Sequence, residues 1–336
     1  MRALVVVNPA ATATTPKTRD VLVRALASEL KVDLAETTHR GHARELGRRA
    51  VTDGVDVVVT LGGDGTVNEV VNGVLADGPS PALPMLAVVP GGSTNVFSRA
   101  LGRARQPVEA TSEILESLRA GRSRLVSLGT ASAAVPVVPP ADGTAPEGPA
   151  AAGAVPVEWT PERWFVFSAG LGFDAEVIGR VERRRAAGRR STGALYVKEA
   201  TEAFLLGRDR RRPAMTLHLP GEPPMEDLFL CVVSNVTPWT YLGARPVQPT
   251  PQASFETGLD LFAMGRIGTP RMLRTVGQVL SRRPDPHGRR MHSRHDLLEA
   301  RIEAARPLPW QLDGDHLGTA TALKVRGVPA ALRIVA

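Results

Sequence analysis

The stretch "VVVTLGGDGTVNEVVNGVL" (residues 57–75) decides the fold, because a glycine turn there joins a buried-strand pattern to a helix pattern. In open α/β sheets, ligands bind in the crevice where a parallel strand ends and a helix begins. Glycines at such a turn let backbone N–H groups approach a phosphate, and the helix presents its positive N-terminal end to it. The stretch therefore predicts an anion-binding turn in an α/β domain.

Asp64 is the unexpected residue of this turn, since a carboxylate beside a phosphate repels it unless it binds a metal ion or accepts a proton. Part of the motif has a structural explanation: Thr66 can cap the following helix, and Glu69 lies at capping-box spacing from it. The alternative for Asp64 is that Asp-Gly only gives the turn its geometry. A second turn of the same kind, "LAVVPGGSTNVFSRALG" (86–102), favours a nucleotide gripped from two sides. The chain contains neither the P-loop motif GxxxxGK[ST] nor the dinucleotide-binding motif GxGxxG.

The pattern along the chain predicts two structural parts. Short apolar strands alternate with helices over residues 1–128, which predicts a Rossmann-like parallel α/β nucleotide-binding domain. Residues 129–160, rich in Ala and Pro, are interpreted as a disordered insertion. Residues 161–326 contain regularly spaced short strands and one helical segment, which predicts an antiparallel β-sandwich domain. The final strand, 327–336, is expected to return to the first domain.

Composition narrows the class of partner. The chain has 336 residues, with 41 Lys+Arg against 34 Asp+Glu, which favours an anionic partner. Arginines concentrate in segments such as "SRRPDPHGRR" (281–290), for which an anionic membrane surface and a solvated face are both open interpretations. Aromatic residues make up only 4%, which disfavours nucleic acid. Cys231 is the single cysteine and excludes an internal disulfide, and no uncharged apolar run approaches the length of a membrane helix.

Several motifs then occur in order along nearly the whole chain. They are "NP" (8–9), the two glycine turns, "SAGLGFDAEVI" (168–178), "NVTPWTYLGARPVQPTPQA" (235–253) and "LDGD" (312–315). Together they resemble the diacylglycerol kinase catalytic family, which includes bacterial lipid kinases and sphingosine and ceramide kinases. The resemblance implies a nucleotide-binding domain like that of NAD kinases and phosphofructokinases, followed by a β-rich lipid-substrate domain.

The resemblance also implies an activity and its residues. The expected reaction is transfer of the γ-phosphate of ATP, with Mg²⁺, to a hydroxyl of diacylglycerol or a similar lipid, giving phosphatidic acid. Asp64 is the candidate catalytic or metal-binding carboxylate, and Asp315 is the candidate proton acceptor. Without the resemblance, residues 313–315 read as an ordinary hairpin turn. The expected nucleotide contacts are Asn8, Thr37, Gly62, Gly63, Gly65, Thr66, Asn68, Ser93 and Asn95.

Some positions depart from the family pattern. Val96 stands where the second turn commonly has Asp, and Thr257 precedes Gly258 where many bacterial members have a metal-binding Asp. Glu256 or Asp260 is a possible substitute, and no metal ligand is assigned. The alternatives are a kinase for a sphingoid base or for NAD, or a non-catalytic nucleotide- or lipid-binding relative. The expected location is cytoplasmic and peripheral, at the inner face of an anionic membrane, without nucleic acid as partner; the oligomeric state is open, a homodimer included.

Overall fold

The computed structural model describes residues 1–12, 15–137, 156–187, 193–206 and 212–336. Its N-terminal part alternates strands and helices: β1 (Arg2–Val7), α1 (Pro16–Ala27), β2 (Lys31–Glu36), α2 (His42–Thr52), β3 (Val57–Gly62), α3 (Asp64–Val74), β4 (Met85–Pro90), α4 (Val96–Ala100) and α5 (Pro107–Arg119). The strands β4, β3, β1 and β2 lie side by side in this order and pair in parallel. Strand β3 is buried along its whole length, as its unbroken apolar run predicts for a sheet covered on both faces.

The remaining chain is rich in antiparallel strands. In chain order it contains β5 (Ser123–Pro136), β6 (Val157–Trp159), β7 (Arg163–Phe165), β8 (Ser168–Gly172), α6 (Phe173–Ala186), α7 (Gly193–Leu206), β9 (Met215–His218), β10 (Met225–Ser234), β11 (Thr240–Leu242), β12 (Arg245–Val247), β13 (Leu259–Gly265), α8 (Thr269–Val279), β14 (Met291–Leu297), β15 (Glu299–Leu312) and β16 (Asp315–Val335). Helices α6 and α7 replace the single helical segment expected over 174–206.

Strand β16 joins the two parts into one sheet. It pairs antiparallel with β15 near its start and parallel with β4 near its end, where Ile334 lies opposite Leu86. The sheet therefore runs without a break in the order β14-β13-β10-β8-β15-β16-β4-β3-β1-β2. As a consequence, Asp315, the first residue of β16, sits on a strand that is anchored in the α/β part.

Strand β5 corrects the expected start of the insertion. It pairs with β16 and continues to Pro136, so residues 129–136 are ordered strand rather than insertion. The small residues there are explained by close packing, because a Cβ added at Gly129 would lie 2.0 Å from the Phe165 ring. Ala131 and Ala133 are buried in the same strand. Residues 138–155, the middle of the predicted insertion, lie outside the described residues.

No helix within the described ranges is both long enough and apolar enough to cross a membrane.

Candidate functional site

The first glycine turn connects β3 to α3 and lines a cavity. Gly62 must lack a side chain, because a Cβ there would lie 2.6 Å from the Thr66 hydroxyl oxygen. Gly63 is the N-cap residue of α3, and it lines the cavity together with Asp64, Gly65 and Thr66. The positive end of α3 therefore faces the cavity, as expected of an anion site.

Thr66 and Glu69 do not form the predicted capping box. The Thr66 hydroxyl accepts a hydrogen bond from Nδ2 of Asn8 at 3.1 Å, so it ties the "NP" loop to the turn. The Glu69 carboxylate accepts from the backbone N–H groups of Gly41 and Ala43, at 2.9 and 3.2 Å, and thus caps α2 instead of α3. The box fails because α3 begins at Asp64 with Gly63 as its N-cap, so Thr66 lies inside the first turn and not at the N-cap position.

Asp64 fastens the second glycine turn to the first. Its Oδ2 accepts from the N–H of Val96 at 3.0 Å, and its Oδ1 accepts from the N–H of Phe97 at 3.1 Å, at the start of α4. Burial raises the pKa of Asp64, while these N–H groups and the Arg99 charge oppose the rise. The turns also touch through their backbones, since a Cβ on Gly92 would lie 2.6 Å from the Gly63 Cα atom. The two turns therefore form one rigid unit.

The structure brings most of the predicted nucleotide contacts onto one cavity wall. Those on the wall are Asn8, Thr37, Gly63, Gly65, Thr66 and Ser93. Three others lie behind it. Gly62 packs on Thr66, the Asn95 side chain bonds to the N–H and carbonyl of Gly92, and Asn68 points toward the C-terminal part. These three shape the wall without forming part of it.

Asp313, which the sequence analysis left without a role, is the centre of a buried hydrogen-bond network. Its carboxylate accepts from Nδ2 of Asn68 (2.7 Å) and from the N–H groups of Val166 (2.7 Å), Phe167 (2.9 Å) and Ser168 (3.0 Å). Burial raises the pKa of Asp313 to about 7 despite these four donors. Because Asn68 belongs to α3, the network fixes the hairpin turn against the nucleotide-binding half.

The turn itself has the backbone that Asp-Gly predicts. Asp313 and Gly314 have φ values of 49° and 79°, and Leu312 pairs with Asp315 across the turn. A two-residue loop with both φ values positive is the tight hairpin that favours Asp-Gly or Asn-Gly. The hairpin interpretation and a functional one are therefore compatible at this site.

Asp315 is the accessible carboxylate of the pair. Its side chain is 42% exposed, and it lines the cavity. Nη2 of Arg40, in the loop that follows Thr37, lies 3.2 Å from Oδ2 of Asp315. The α/β part and the β-rich part thus bring a guanidinium group and a carboxylate together on the cavity wall.

The cavity has a polar end and an apolar end. Its volume is about 1240 Å³, and its lining includes the glycine turns, Asp315 and side chains of α6, α7, α8, β10 and β13. The apolar wall includes Phe173, Val177, Phe204, Val232, Trp239, Phe262, Met264, Met272 and Val276. Helix α8, which the sequence analysis did not predict, contributes part of this wall. The shape suits a ligand with a long apolar body and a polar head near Asp315.

Asp174 is a second buried acid on the cavity wall. Its Oδ2 accepts from Nε2 of Gln311 at 3.1 Å, and Oδ1 has no partner among the described residues. Gly170 leaves the space for it, because a Cβ there would lie 2.0 Å from Oδ2. Burial raises the pKa of Asp174 to about 7. It lies within the motif "SAGLGFDAEVI", but the sequence alone gave no sign of its burial.

The possible substitutes for the missing metal-binding Asp are engaged elsewhere. Asp260 lies 2.7 Å from Nδ1 of His295, and Glu256 pairs with Arg124 at 3.4 Å. Within the described part of the chain, no three His, Cys, Asp or Glu side chains gather as a metal site would require. This leaves the metal assignment open, as in the sequence analysis.

The fold and the site define an α/β protein with an attached β-rich part and a cavity lined by two glycine turns and by apolar side chains. Comparison with known proteins shows what its N-terminal part is similar to. Residues 2–131 match the family model of the diacylglycerol kinase catalytic domain. This match confirms the resemblance that the motifs indicated.

Individual relatives agree with this assignment. The diacylglycerol kinase of Bacillus subtilis is 43% identical over 72 residues, 21% of this chain and 23% of the relative. That of Staphylococcus aureus (strain JH9) is 34% identical over 110 residues, 33% of each chain. The aligned stretches thus span only a quarter to a third of these relatives. A crystal structure of a diacylglycerol kinase from Bacillus anthracis superimposes with a TM-score of 0.66 over 99% of this chain and 96% of the other, at 19% identity, which confirms the fold class.

Proposed function

We propose that the chain is an ATP-dependent lipid kinase that transfers the γ-phosphate of ATP to a hydroxyl of diacylglycerol or a similar lipid. The observation that carries this proposal is the continuity of the cavity. The glycine turns, Asp315 and a set of apolar side chains all line the same cavity. A kinase that joins a polar donor to an apolar acceptor needs this arrangement, because the two reacting atoms must meet in line.

The proposed chemistry uses Asp315 as general base. A lipid hydroxyl is a weak nucleophile near neutral pH, so a carboxylate within hydrogen-bond reach accepts its proton as the new O–P bond forms. The bond between the γ-phosphorus and the β–γ bridging oxygen breaks, and ADP leaves. Nη2 of Arg40 lies 3.2 Å from the Asp315 carboxylate in the present structure. Lipid binding would then replace this contact with the hydroxyl.

Asp64 fits a role beside Mg²⁺ that arrives with ATP. Each of its oxygens accepts one N–H bond, which leaves lone pairs for a further ligand, and the residue lies on the cavity wall. Mg²⁺ is commonly held by one or two carboxylates together with the substrate phosphates. When bound, the ion offsets the negative charge of the phosphates. The contribution of the chain is to hold the Asp64 carboxylate in place and to keep the two turns in register.

The proposal is tested by measuring labelled-phosphate transfer from ATP·Mg²⁺ to diacylglycerol, monoacylglycerol, sphingosine, ceramide and NAD, with the lipids in anionic mixed micelles. The expected result is label in a glycerolipid and none in NAD. The matched pair of variants is Asp315→Asn and Asp77→Asn, the latter at an exposed aspartate that does not line the cavity. Label in sphingosine or NAD alone would redirect the substrate assignment. Label in none of the five would favour a non-catalytic binding protein.

A further inference from the structure

The apolar end of the cavity reaches solvent at α7 and α8. Three aliphatic side chains both line the cavity and are open to solvent: Val197 on α7, and Leu273 and Val276 on α8. Leu273 is 67% exposed and Val276 is 41% exposed. Aliphatic side chains on the rim of an apolar cavity stay in contact with water unless a partner covers them. These three side chains, here called the rim, therefore form an exposed apolar surface.

The surroundings of this rim are strongly basic. Residues 266–290 contain seven arginines and one acid, Asp285. Arg271 and Arg274 lie on α8, Arg282 and Arg283 follow it, and all four are exposed. In the part of the chain that the structure describes, none of these four guanidinium groups forms an ion pair. Arg294, by contrast, pairs with Glu222.

The geometry points to α8, with its flanking arginines and the rim aliphatics, as the surface that docks on an anionic lipid bilayer. The inference rests on the proposed function, since it takes the cavity to receive a lipid. The partner is a bilayer because one occupant must satisfy both features: acyl chains continue from the membrane into the cavity, and headgroup phosphates meet the unpaired guanidinium groups. In that position the substrate enters the cavity without crossing water.

Vesicle binding without nucleotide tests this inference separately from catalysis. The wild-type protein is floated with vesicles of phosphatidylglycerol and phosphatidylcholine, and with vesicles of phosphatidylcholine alone. We expect binding to the anionic vesicles that weakens as salt rises. Since one arginine near an anionic surface contributes a factor of about five, Arg271→Gln with Arg274→Gln should weaken binding about 25-fold.

The control removes the same charge elsewhere, through Arg48→Gln with Arg49→Gln on the exposed face of α2, and should change binding little. A second readout is phosphate transfer to a short-chain diacylglycerol dispersed as monomers, which the α8 variant should leave unchanged because neither arginine lies on the cavity wall. Equal losses in the two double variants would overturn the docking surface and leave only a net-charge effect. The docking surface would also be overturned if the protein were a dimer that the α8 double variant dissociates while its vesicle binding persists. Vesicle binding without phosphate transfer would instead overturn the proposed function alone.

Discussion

Replacing Asp313 should strongly lower the free energy of unfolding, whereas replacing Asp315 should change it little. Asp313 is 6% exposed and accepts four hydrogen bonds from donors that have been removed from water. In Asp313→Ala these donors lose their acceptor. At about 1 kcal/mol for each unsatisfied buried donor, the free energy of unfolding should fall by about 4 kcal/mol.

Asp313→Asn distinguishes the contribution of the hydrogen-bond network from that of the turn geometry. Asparagine tolerates the positive φ of 49° as well as aspartate does, so the hairpin geometry is kept. One carboxylate oxygen becomes an NH₂ group that faces donors, so about half of the loss, roughly 2 kcal/mol, should remain. Asp315→Asn is the control, since its partly exposed side chain makes one surface ion pair, and the stability should change by less than about 1 kcal/mol.

The assay is urea unfolding followed by tryptophan fluorescence, and Trp164 is a suitable reporter because its carbonyl accepts from Asn68 of the same network. The result that would refute the reasoning is an Asp313→Ala protein as stable as wild type. An Asp315→Asn protein as unstable as Asp313→Ala would refute it equally, because the two acids would then share one structural role.

Three further predictions concern other residues of the site. Asp64→Asn should keep the fold but slow phosphate transfer at least 100-fold, because one N–H of α4 loses its acceptor and the second turn shifts. The measurement is the turnover rate at saturating ATP. An unchanged rate would contradict the prediction. Gly92→Ala should raise KM for ATP and cost roughly 1–3 kcal/mol of stability, because its Cβ would lie 2.6 Å from Gly63; an unchanged KM counts against the packed turns. Asp174 has a pKa raised to about 7 by burial, so the folded protein binds its proton more tightly than the unfolded chain, and stability should fall as pH rises from about 4 to about 7. Between about pH 4 and pH 7 this proton accounts for up to about 4 kcal/mol of the free energy of unfolding. Asp174→Asn should remove that pH-dependent part, as measured by melting at several pH values. An unchanged pH dependence in the variant would rule out this assignment.

The sequence predicted the parts of the fold that depend on local pattern. Strand β3 and helix α3 follow from a continuous apolar run, two glycines and a helical repeat, and all of these lie within 19 residues. The contact of the second turn with the first was also foreseeable, because the carboxyl ends of neighbouring parallel strands meet at one edge of a sheet. Such features need no knowledge of distant partners.

Other features depend on contacts between distant residues and were not predicted. The role of Asp313 comes from Asn68, 245 positions earlier in the chain, and no local pattern encodes that pairing. Helix α8 is 11 residues long and contains an interior glycine, and an isolated helix of this length is only marginally stable in water, so the sequence gives it a weak signal. The strand character of residues 129–136 is equally non-local, because it comes from pairing with β16.

The measurement that tests the central claim most directly is a single-turnover transfer of labelled phosphate from ATP·Mg²⁺ to diacylglycerol, comparing wild type with Asp315→Asn at equal concentrations of folded protein. The account predicts transfer by wild type and a rate that is lower by a factor of roughly 10² to 10⁴ in the variant, the usual contribution of a general base. Transfer at the wild-type rate by Asp315→Asn, with its fold intact, would contradict it.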